Sequence, residues 1–176
     1  MIYRTRTYIA GDWTGDYDAI NQLYKWKNSN HWSLDFTDAH DLTQSSDSSL
    51  YCSIKSSLCD RLNRSKTFVL IVGDSTTKVT KGSCVNCRNY VPSYLGGPRC
   101  KNGNGISMKS YIEYECDKAL RDGLKIIILY NKTYVAKSLC PTQLKDVGTH
   151  IAMKKRDIWG NVSWDYENVR KVIMGY

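Results

Sequence analysis

Two short, almost continuously apolar segments constrain the fold of this 176-residue chain more than any other feature. One runs from Thr67 to Val72 and is closed by Gly73, and the other runs from Lys125 to Tyr130. Strands that are apolar on both faces are typical of the centre of a parallel sheet that helices cover on both sides. A helical pattern from Ser107 to Asp122 lies between the two segments and stops at a glycine. This order of strand, helix and strand predicts a parallel crossover.

The same alternation continues along the rest of the chain. The periodicities predict six further elements: a strand at Tyr3 to Ala10, a helix through Ile20, Leu23, Tyr24 and Lys27 with Asp16 or Asp18 as its cap, a short strand through Trp32, Leu34 and Phe36, a helix from Ser49 to Arg64 with Asp47 as its cap, a strand at Thr149 to Met153, and a helix from Val162 to Met174. We therefore predict an α/β fold: one domain over residues 1–176, with a doubly wound, flavodoxin-like parallel sheet of about five strands and helices on both faces.

Composition and charge narrow the classes of function. A hydrophobic fraction of 41% is enough to build a core, and no apolar run approaches the roughly 18 residues of a membrane span. Because the chain also starts without an apolar signal segment, we expect a cytoplasmic protein that does not contact a membrane. The net charge of +8 favours anionic partners such as nucleotides, nucleic acid or acidic lipid. The basic residues form no block, so a solvated basic surface is expected rather than a nucleic-acid interface.

A long loop from about residue 74 to 106 contains three cysteines. Cys84 and Cys87 form a C-x-x-C pair, and Cys100 follows. Such a set could supply ligands to a structural zinc ion, although no fourth ligand is evident. Free thiols or a reversible disulfide are the alternatives. Seven cysteines in a chain without a secretion signal do not indicate a complete disulfide framework.

The expected position of a ligand follows from the predicted sheet. Ligands of open parallel sheets bind outside the carboxyl ends of the strands, where the connecting loops and the helix N-termini converge. Four segments leave those ends: Gly11 to Asp18, Thr37 to Asp47, Asp74 to Ile106, and Asn131 to Pro141. The third is longer than the roughly 12 to 15 residues usual for an unstructured loop, which is typical of a functional or disordered segment.

Tyr111 and Glu115 are the first candidate site residues. They are four positions apart on the predicted helix after the long loop, so they share one side of it, at the border between core and cleft. The alternative is structural: Glu115 would pair with Lys118, and Tyr111 would cover an edge of the core.

Candidates also occur in the first two loops. Asp12 and Trp13 follow the first strand and could line the same pocket, although Asp12 could equally be a loop or capping aspartate. Asp38, His40 and Asp41 form a polar group in the second loop that could bind ribose or hold the loop in shape. We assign no role to His40, because a single histidine in a loop is more often structural.

Four segments of the chain together resemble the TIR-like family of bacterial defence systems such as Thoeris. They are YIAGDW at the first strand, FTDAHDL after the second, SKTFVLIVGDST at the third, and YIEYECDKALRDGLKIIILYN. Their order and spacing carry the resemblance more than any single motif. Catalytic members have an aromatic residue, usually tryptophan, four positions before an essential glutamate, and the matching residues here are Tyr111 and Glu115.

The resemblance implies an enzyme that consumes NAD, of the NAD nucleosidase or ADP-ribosyl cyclase type. NAD would be the substrate, and no cofactor would be required. The product would be a cyclic or conjugated ADP-ribose signal, sensed by a downstream nucleotide-binding effector in antiphage defence. One alternative is a non-catalytic TIR-like module that acts by self-association or scaffolding. Another is a receiver-like or nucleotide-binding flavodoxin-like domain without NAD cleavage. Asp12 and Asp74 would suit a receiver, but Lys154 comes too late to be its lysine.

Overall fold

The two apolar segments form neighbouring strands in the middle of a parallel sheet. The computed structural model describes residues 4–32, 34–38, 50–93 and 95–175. In chain order its strands and α-helices are β1 (Arg6–Ala10), α1 (Tyr17–Lys27), α2 (Tyr51–Asn63), β2 (Ser65–Val72), β3 (Tyr90–Val91), β4 (Arg99–Cys100), α3 (Tyr111–Arg121), β5 (Lys125–Tyr130), β6 (Thr149–Ala152), β7 (Lys154–Arg156), β8 (Val162–Trp164) and α4 (Tyr166–Met174). The main sheet has the order β1-β2-β5-β6, and each of its neighbouring pairs is parallel.

The side chains of the central strands divide the core into two layers. Because successive residues of a strand point to opposite faces, Phe68 and Leu70 pack with the apolar residues of α2 and α3. Val69 and Ile71 pack on the other face with those of α1 and α4. Helices therefore cover both faces, and the doubly wound α/β prediction is confirmed.

The main sheet has four strands within the described residues, so the prediction of a strand through Trp32, Leu34 and Phe36 is wrong. Leu34 and Phe36 are buried, but their backbone joins no ladder. A single bridge between Thr7 and Asp38 is the only pairing of this segment that is described. Burial of alternate side chains thus occurs here without the backbone pairing that defines a strand.

The C-terminal helix begins later than predicted. Residues 162 to 164 pair with β7 as an antiparallel hairpin, and α4 starts only at Tyr166. Asp157 closes the turn of this hairpin by accepting hydrogen bonds from the backbone N–H groups of Trp159 and Asn161, at 2.9 and 2.8 Å. Gly160 permits the turn, because its φ of +88° is disfavoured for residues with a side chain.

The helix α3 also starts later than its periodicity suggested, at Tyr111 rather than Ser107. Ser110 is its N-cap: the Oγ accepts from the Glu113 N–H at 3.2 Å, and the Ser110 N–H donates to Glu113 Oε2 at 2.8 Å. This reciprocal pair is a capping box. It fixes the first turn of the helix that carries both Tyr111 and Glu115.

The structure tests the cap predicted for the first helix but not the one predicted for the second. Asp16 is at the N-cap of α1, but its side chain caps nothing and instead accepts a hydrogen bond from Asn131 Nδ2 at 3.0 Å. The Asp16 carboxyl group packs closely against Gly73: a Cβ added at Gly73 would lie 1.9 Å from Asp16 Oδ1. Burial raises the pKa of this carboxyl group. Asp47, the predicted cap of α2, lies outside the described residues, as do His40 and Asp41.

The long loop folds into short pieces of secondary structure. Three-residue 3-10 turns occur at Thr76–Lys78 and Cys84–Asn86, and β3 pairs with β4 as a small antiparallel hairpin. Among the described residues, no helix combines the length and the apolarity that a transmembrane span requires.

Candidate functional site

A cavity of about 280 Å³ lies at the carboxyl end of the sheet, where the first loop meets α2, α3 and the long loop. Two of the four candidate segments named from the sequence, the first and the third, contribute to its walls. The lining residues that bear on its chemistry are Asp12, Trp13, Arg61, Lys81, Tyr111 and Glu115. These six residues bring together two carboxylates, two cations and two aromatic rings, and Tyr51 adds a third ring.

Glu115 is the most buried acid of this cavity, with 7% of its surface exposed. Its Oε1 accepts a hydrogen bond of 2.5 Å from the hydroxyl group of Tyr8. Burial raises the pKa of Glu115 to about 7, although the Tyr8 hydrogen bond and the nearby Arg61 charge lower it. A carboxyl group of this kind changes its charge close to neutral pH, which is a property frequent among catalytic groups.

The position of Glu115 differs from the predicted one in two respects. It lies within the buried face of α3 rather than at its border, because β1 packs against this turn of the helix. The pairing with Lys118 that the structural alternative assumed is not observed: the Lys118 Nζ donates to Asn63 Oδ1 at 2.7 Å and forms an ion pair with Asp122. The structural alternative for Glu115 therefore loses the partner on which it depended.

Tyr111 lies one helical turn before Glu115 and lines the same cavity. Its ring packs against Gly82, where an added Cβ would come within 2.5 Å of the ring. The edge-to-face contact with Tyr51 has a centroid distance of 5.7 Å. The Tyr111 hydroxyl group is buried without a hydrogen-bond partner among the described residues, and burial raises its pKa.

Asp12 and Trp13, in the loop after β1, line the same cavity. Asp12 Oδ1 accepts a hydrogen bond from the Thr14 N–H at 3.1 Å, so this carboxylate also shapes its own loop. Trp13 is partly exposed and contacts Tyr24, with a centroid distance of 6.2 Å. Both interpretations of Asp12 thus remain open, since it belongs to the cavity and to the turn.

Asp38 does not line this cavity. It is buried, and its carboxylate accepts a hydrogen bond from the hydroxyl group of Tyr24. Its backbone oxygen accepts from Arg6 Nη1 at 2.7 Å. These contacts tie the segment after α1 to β1, in agreement with the loop-holding alternative.

Tyr8, Arg61 and Lys81 are members of the site that the sequence analysis missed. Tyr8 reaches Glu115 from β1, whereas Arg61 lines the cavity from α2 and Lys81 from the long loop. Strand alternation places Tyr8 on the sheet face opposite to Ile9, but nothing in the sequence indicates which helix covers that face. Arg61 precedes Leu62 in an amphipathic helix. An arginine at the edge of the apolar stripe is common in such helices and does not indicate a ligand site.

The cysteines of the long loop do not assemble a metal site in the part of the chain that the structure describes. Cys84 is buried, and its Sγ accepts from the Ser107 N–H at 3.3 Å, whereas Cys87 and Cys100 are half-buried. All seven cysteines are free thiols. No three histidine, cysteine, aspartate or glutamate side chains among the described residues converge as metal ligands. The observed thiol of Cys84 instead connects the loop to the segment before α3.

Part of the chain that lines this cavity matches a known protein family. Residues 8–81 match the family model described as Thoeris protein ThsB, TIR-like domain. No curated protein matches the chain. The matched segment contains Tyr8, Asp12 and Arg61, whereas Tyr111 and Glu115 lie beyond it. Together with the parallel sheet, the match confirms the predicted resemblance to the TIR-like domains of Thoeris systems.

Proposed function

We propose that this protein cleaves the bond between nicotinamide and ribose in NAD, with Glu115 as the catalytic carboxylate. The observation that carries the proposal is the placement of Glu115, Tyr111 and Trp13 around one cavity at the carboxyl edge of the sheet. A buried carboxylate beside aromatic rings suits a ligand that is both cationic and planar.

The chemistry of this cleavage requires one well-placed negative charge. Nicotinamide leaves as a neutral molecule from a cationic pyridinium, so no general acid is needed. Positive charge develops on the ribose instead, and a fixed carboxylate stabilises such an oxocarbenium-like transition state. Glu115 would supply that charge from a site with little access to water, where electrostatic interactions are strong. NAD is the substrate in this scheme, and no cofactor is required.

The pKa of Glu115 is compatible with this role. At about 7 it leaves a substantial fraction of the free protein ionised at neutral pH. A cationic ligand beside the carboxyl group favours the ionised form further. Binding of NAD would therefore increase the fraction of protein in the catalytically competent state.

The other walls of the cavity suit the rest of the substrate. Arg61 and Lys81 are cations that could face the phosphates, and the rings of Tyr111 and Trp13 could stack on nicotinamide or adenine. The volume of about 280 Å³ lies just below the roughly 300 to 1,000 Å³ usual for ligand sites. We therefore expect the cavity to hold the nicotinamide riboside half of NAD, with the adenosine half extending outside it.

The cellular role that we propose follows the family. The product would be an ADP-ribose-derived signal, cyclic or conjugated, that a nucleotide-sensing effector detects in the cytoplasm during antiphage defence. Asp12 would contribute to substrate binding. A non-catalytic TIR-like scaffold is the alternative that the following test distinguishes.

The test is the release of nicotinamide from NAD by the Glu115→Gln variant. Glutamine keeps the size of the side chain and removes its charge, so we expect the rate to fall by more than about 100-fold. Glu113→Gln is the matched control, because the amide can still accept the Ser110 N–H hydrogen bond of the capping box. The control should retain the parent rate. Full activity of Glu115→Gln, under conditions in which the parent is active, would overturn the assignment and favour the scaffold.

A further inference from the structure

The hydrogen bond between Tyr8 and Glu115 joins two elements that are far apart in the sequence. The two residues are 107 positions apart, one in the first strand and one in the helix after the long loop. Both are buried, and the distance from the Tyr8 hydroxyl oxygen to Glu115 Oε1 is 2.5 Å. The length is typical of a hydrogen bond to an ionised acceptor.

Packing within the sheet fixes the position of the Tyr8 ring. Tyr8 lies opposite Phe68 in the parallel register of β1 and β2. The two rings stack with a centroid distance of 5.9 Å and an interplanar angle of 14°. Because no surface of Tyr8 is exposed, its hydroxyl group has few alternative positions. The sheet therefore presents this donor rigidly to α3.

We propose that Tyr8 is a positioning residue for Glu115, holding one carboxylate oxygen so that the charge is directed into the cavity. This inference rests on the proposed catalytic role of Glu115. Tyr8 does not itself line the cavity, so it acts through Glu115 rather than on the substrate. Small displacements of a reacting group lower the rate by large factors. A rigid neighbour that holds the catalytic carboxylate in place therefore helps to preserve the rate.

The groups around Tyr8 and Glu115 indicate how their hydrogen bond changes the pKa of Glu115. Burial and the Glu115 charge hold the pKa of Tyr8 well above its usual value, so Tyr8 remains a donor at neutral pH. Donation to the ionised form lowers the pKa of Glu115 and opposes the effect of burial. Arg61, from α2, acts in the same direction. Cys116, next to Glu115 on α3, has a pKa well above its usual value and is neutral, and Asp38 raises the pKa of Tyr8.

Tyr8→Phe tests this inference, because it removes only the hydroxyl group. We expect kcat for nicotinamide release to fall roughly 10- to 100-fold, with KM changed by less than about threefold. We also expect the pKa of Glu115, followed by carbon-13 NMR of the carboxyl group in the ligand-free protein, to rise by about one unit. The Glu115→Gln spectrum assigns the signal.

Tyr130→Phe is the matched control. Tyr130 is also fully buried in a central strand, and its hydroxyl group also forms a side-chain hydrogen bond, with His150 Nδ1 at 2.9 Å. It does not line the cavity. Removal of the Tyr130 hydroxyl group should leave both the pKa of Glu115 and the kcat unchanged. This control separates the effect of positioning Glu115 from that of disturbing the core.

The remaining outcomes of the Tyr8 experiments also support or overturn the inference. If Tyr8→Phe does not fold, 3-fluorotyrosine at position 8 keeps the shape and makes the hydroxyl a stronger donor, so the pKa of Glu115 should fall. An unchanged Glu115 pKa in every folded Tyr8 variant overturns the inference. A shifted pKa in a protein that never cleaves NAD upholds the contact between Tyr8 and Glu115 but overturns the proposed function, so the two failures are distinguishable.

Discussion

At the scale of single residues, Glu115 combines two conflicting requirements. Folding favours its neutral form, because the side chain is buried against β1. Catalysis as we propose it favours the charged form. The Tyr8 hydrogen bond and the Arg61 charge reduce the conflict without removing it, since the pKa still lies at about 7. Ionisable groups whose local environment opposes their charge are frequent at functional sites.

The conflict predicts how stability depends on pH. The pKa of Glu115 is about 7 in the folded protein, whereas the ordinary value of 4.5 applies to the unfolded chain. Between pH 4.5 and pH 7 the folded state therefore binds more protons than the unfolded state. Stability from this group is therefore present below pH 4.5 and is lost as the pH rises through 7. Glu115→Gln lacks this loss. We expect its free energy of unfolding, relative to the parent, to improve by about 1 to 3 kcal/mol between pH 5 and pH 8.

Urea unfolding at both pH values measures this difference. Glu113→Gln again serves as the control, because Glu113 is exposed and its substitution should show no such change between the two pH values. A Glu115→Gln variant whose relative stability is the same at pH 5 and pH 8 would show that the carboxyl group is not strained by burial.

At the scale of elements, Lys55 links two walls of the cavity. This buried lysine on α2 donates from its Nζ to Ser107 Oγ at 2.9 Å and to the backbone oxygen of Lys109 at 2.7 Å. Both acceptors belong to the segment that leads into α3. The ammonium also lies 5.7 Å from the centroid of the Tyr114 ring. Lys55 thus fixes the start of the Glu115 helix relative to α2.

Lys55→Met is expected to weaken this link. Methionine keeps most of the apolar stem but removes both hydrogen bonds, and it leaves the Lys109 carbonyl without this donor. We expect a loss of about 2 to 3 kcal/mol in the free energy of unfolding. Lys66→Met, at an exposed position, should change stability by less than about 0.5 kcal/mol. Equal effects of the two substitutions in chemical denaturation would contradict a structural role for Lys55.

The elements also show which features the sequence could predict. The central strands are predictable because an unbroken apolar run has one common explanation in an α/β chain. The strand predicted through Leu34 and Phe36 is wrong, since alternating burial resembles a strand even where the described part of the backbone forms a single bridge, at Asp38. The hairpin of β7 and β8 was missed because its second strand runs directly into the helical pattern of α4.

The candidate site was only partly predictable for a related reason. Glu115, Tyr111, Asp12 and Trp13 could be named because loop position and helical spacing are local properties. The contact between Tyr8 and Glu115 depends on how α3 docks against β1, which no local pattern determines. Asp38 was named as a ligand candidate and lies elsewhere, because its carboxylate is occupied by Tyr24.

At the scale of the whole molecule, the cavity joins the part of the chain that matches the ThsB family model to a part that does not. The match over residues 8–81 supplies the first loop, α2 and the start of the long loop. Glu115 comes from the helix that follows. The two parts meet at the carboxyl edge of the parallel sheet, which is the usual ligand position of such folds. The net charge of +8 suits an anionic dinucleotide at this edge.

The most direct test of the central claim is the pH dependence of kcat/KM for nicotinamide release by the parent protein. This ratio reports the ionisation of essential groups in the free enzyme. If ionised Glu115 is the catalytic carboxylate, kcat/KM should rise about tenfold per pH unit on the acid side and level off above a pKa near 7. Glu113→Gln should keep this profile. A rate independent of pH between about 5.5 and 8.5 would contradict the account.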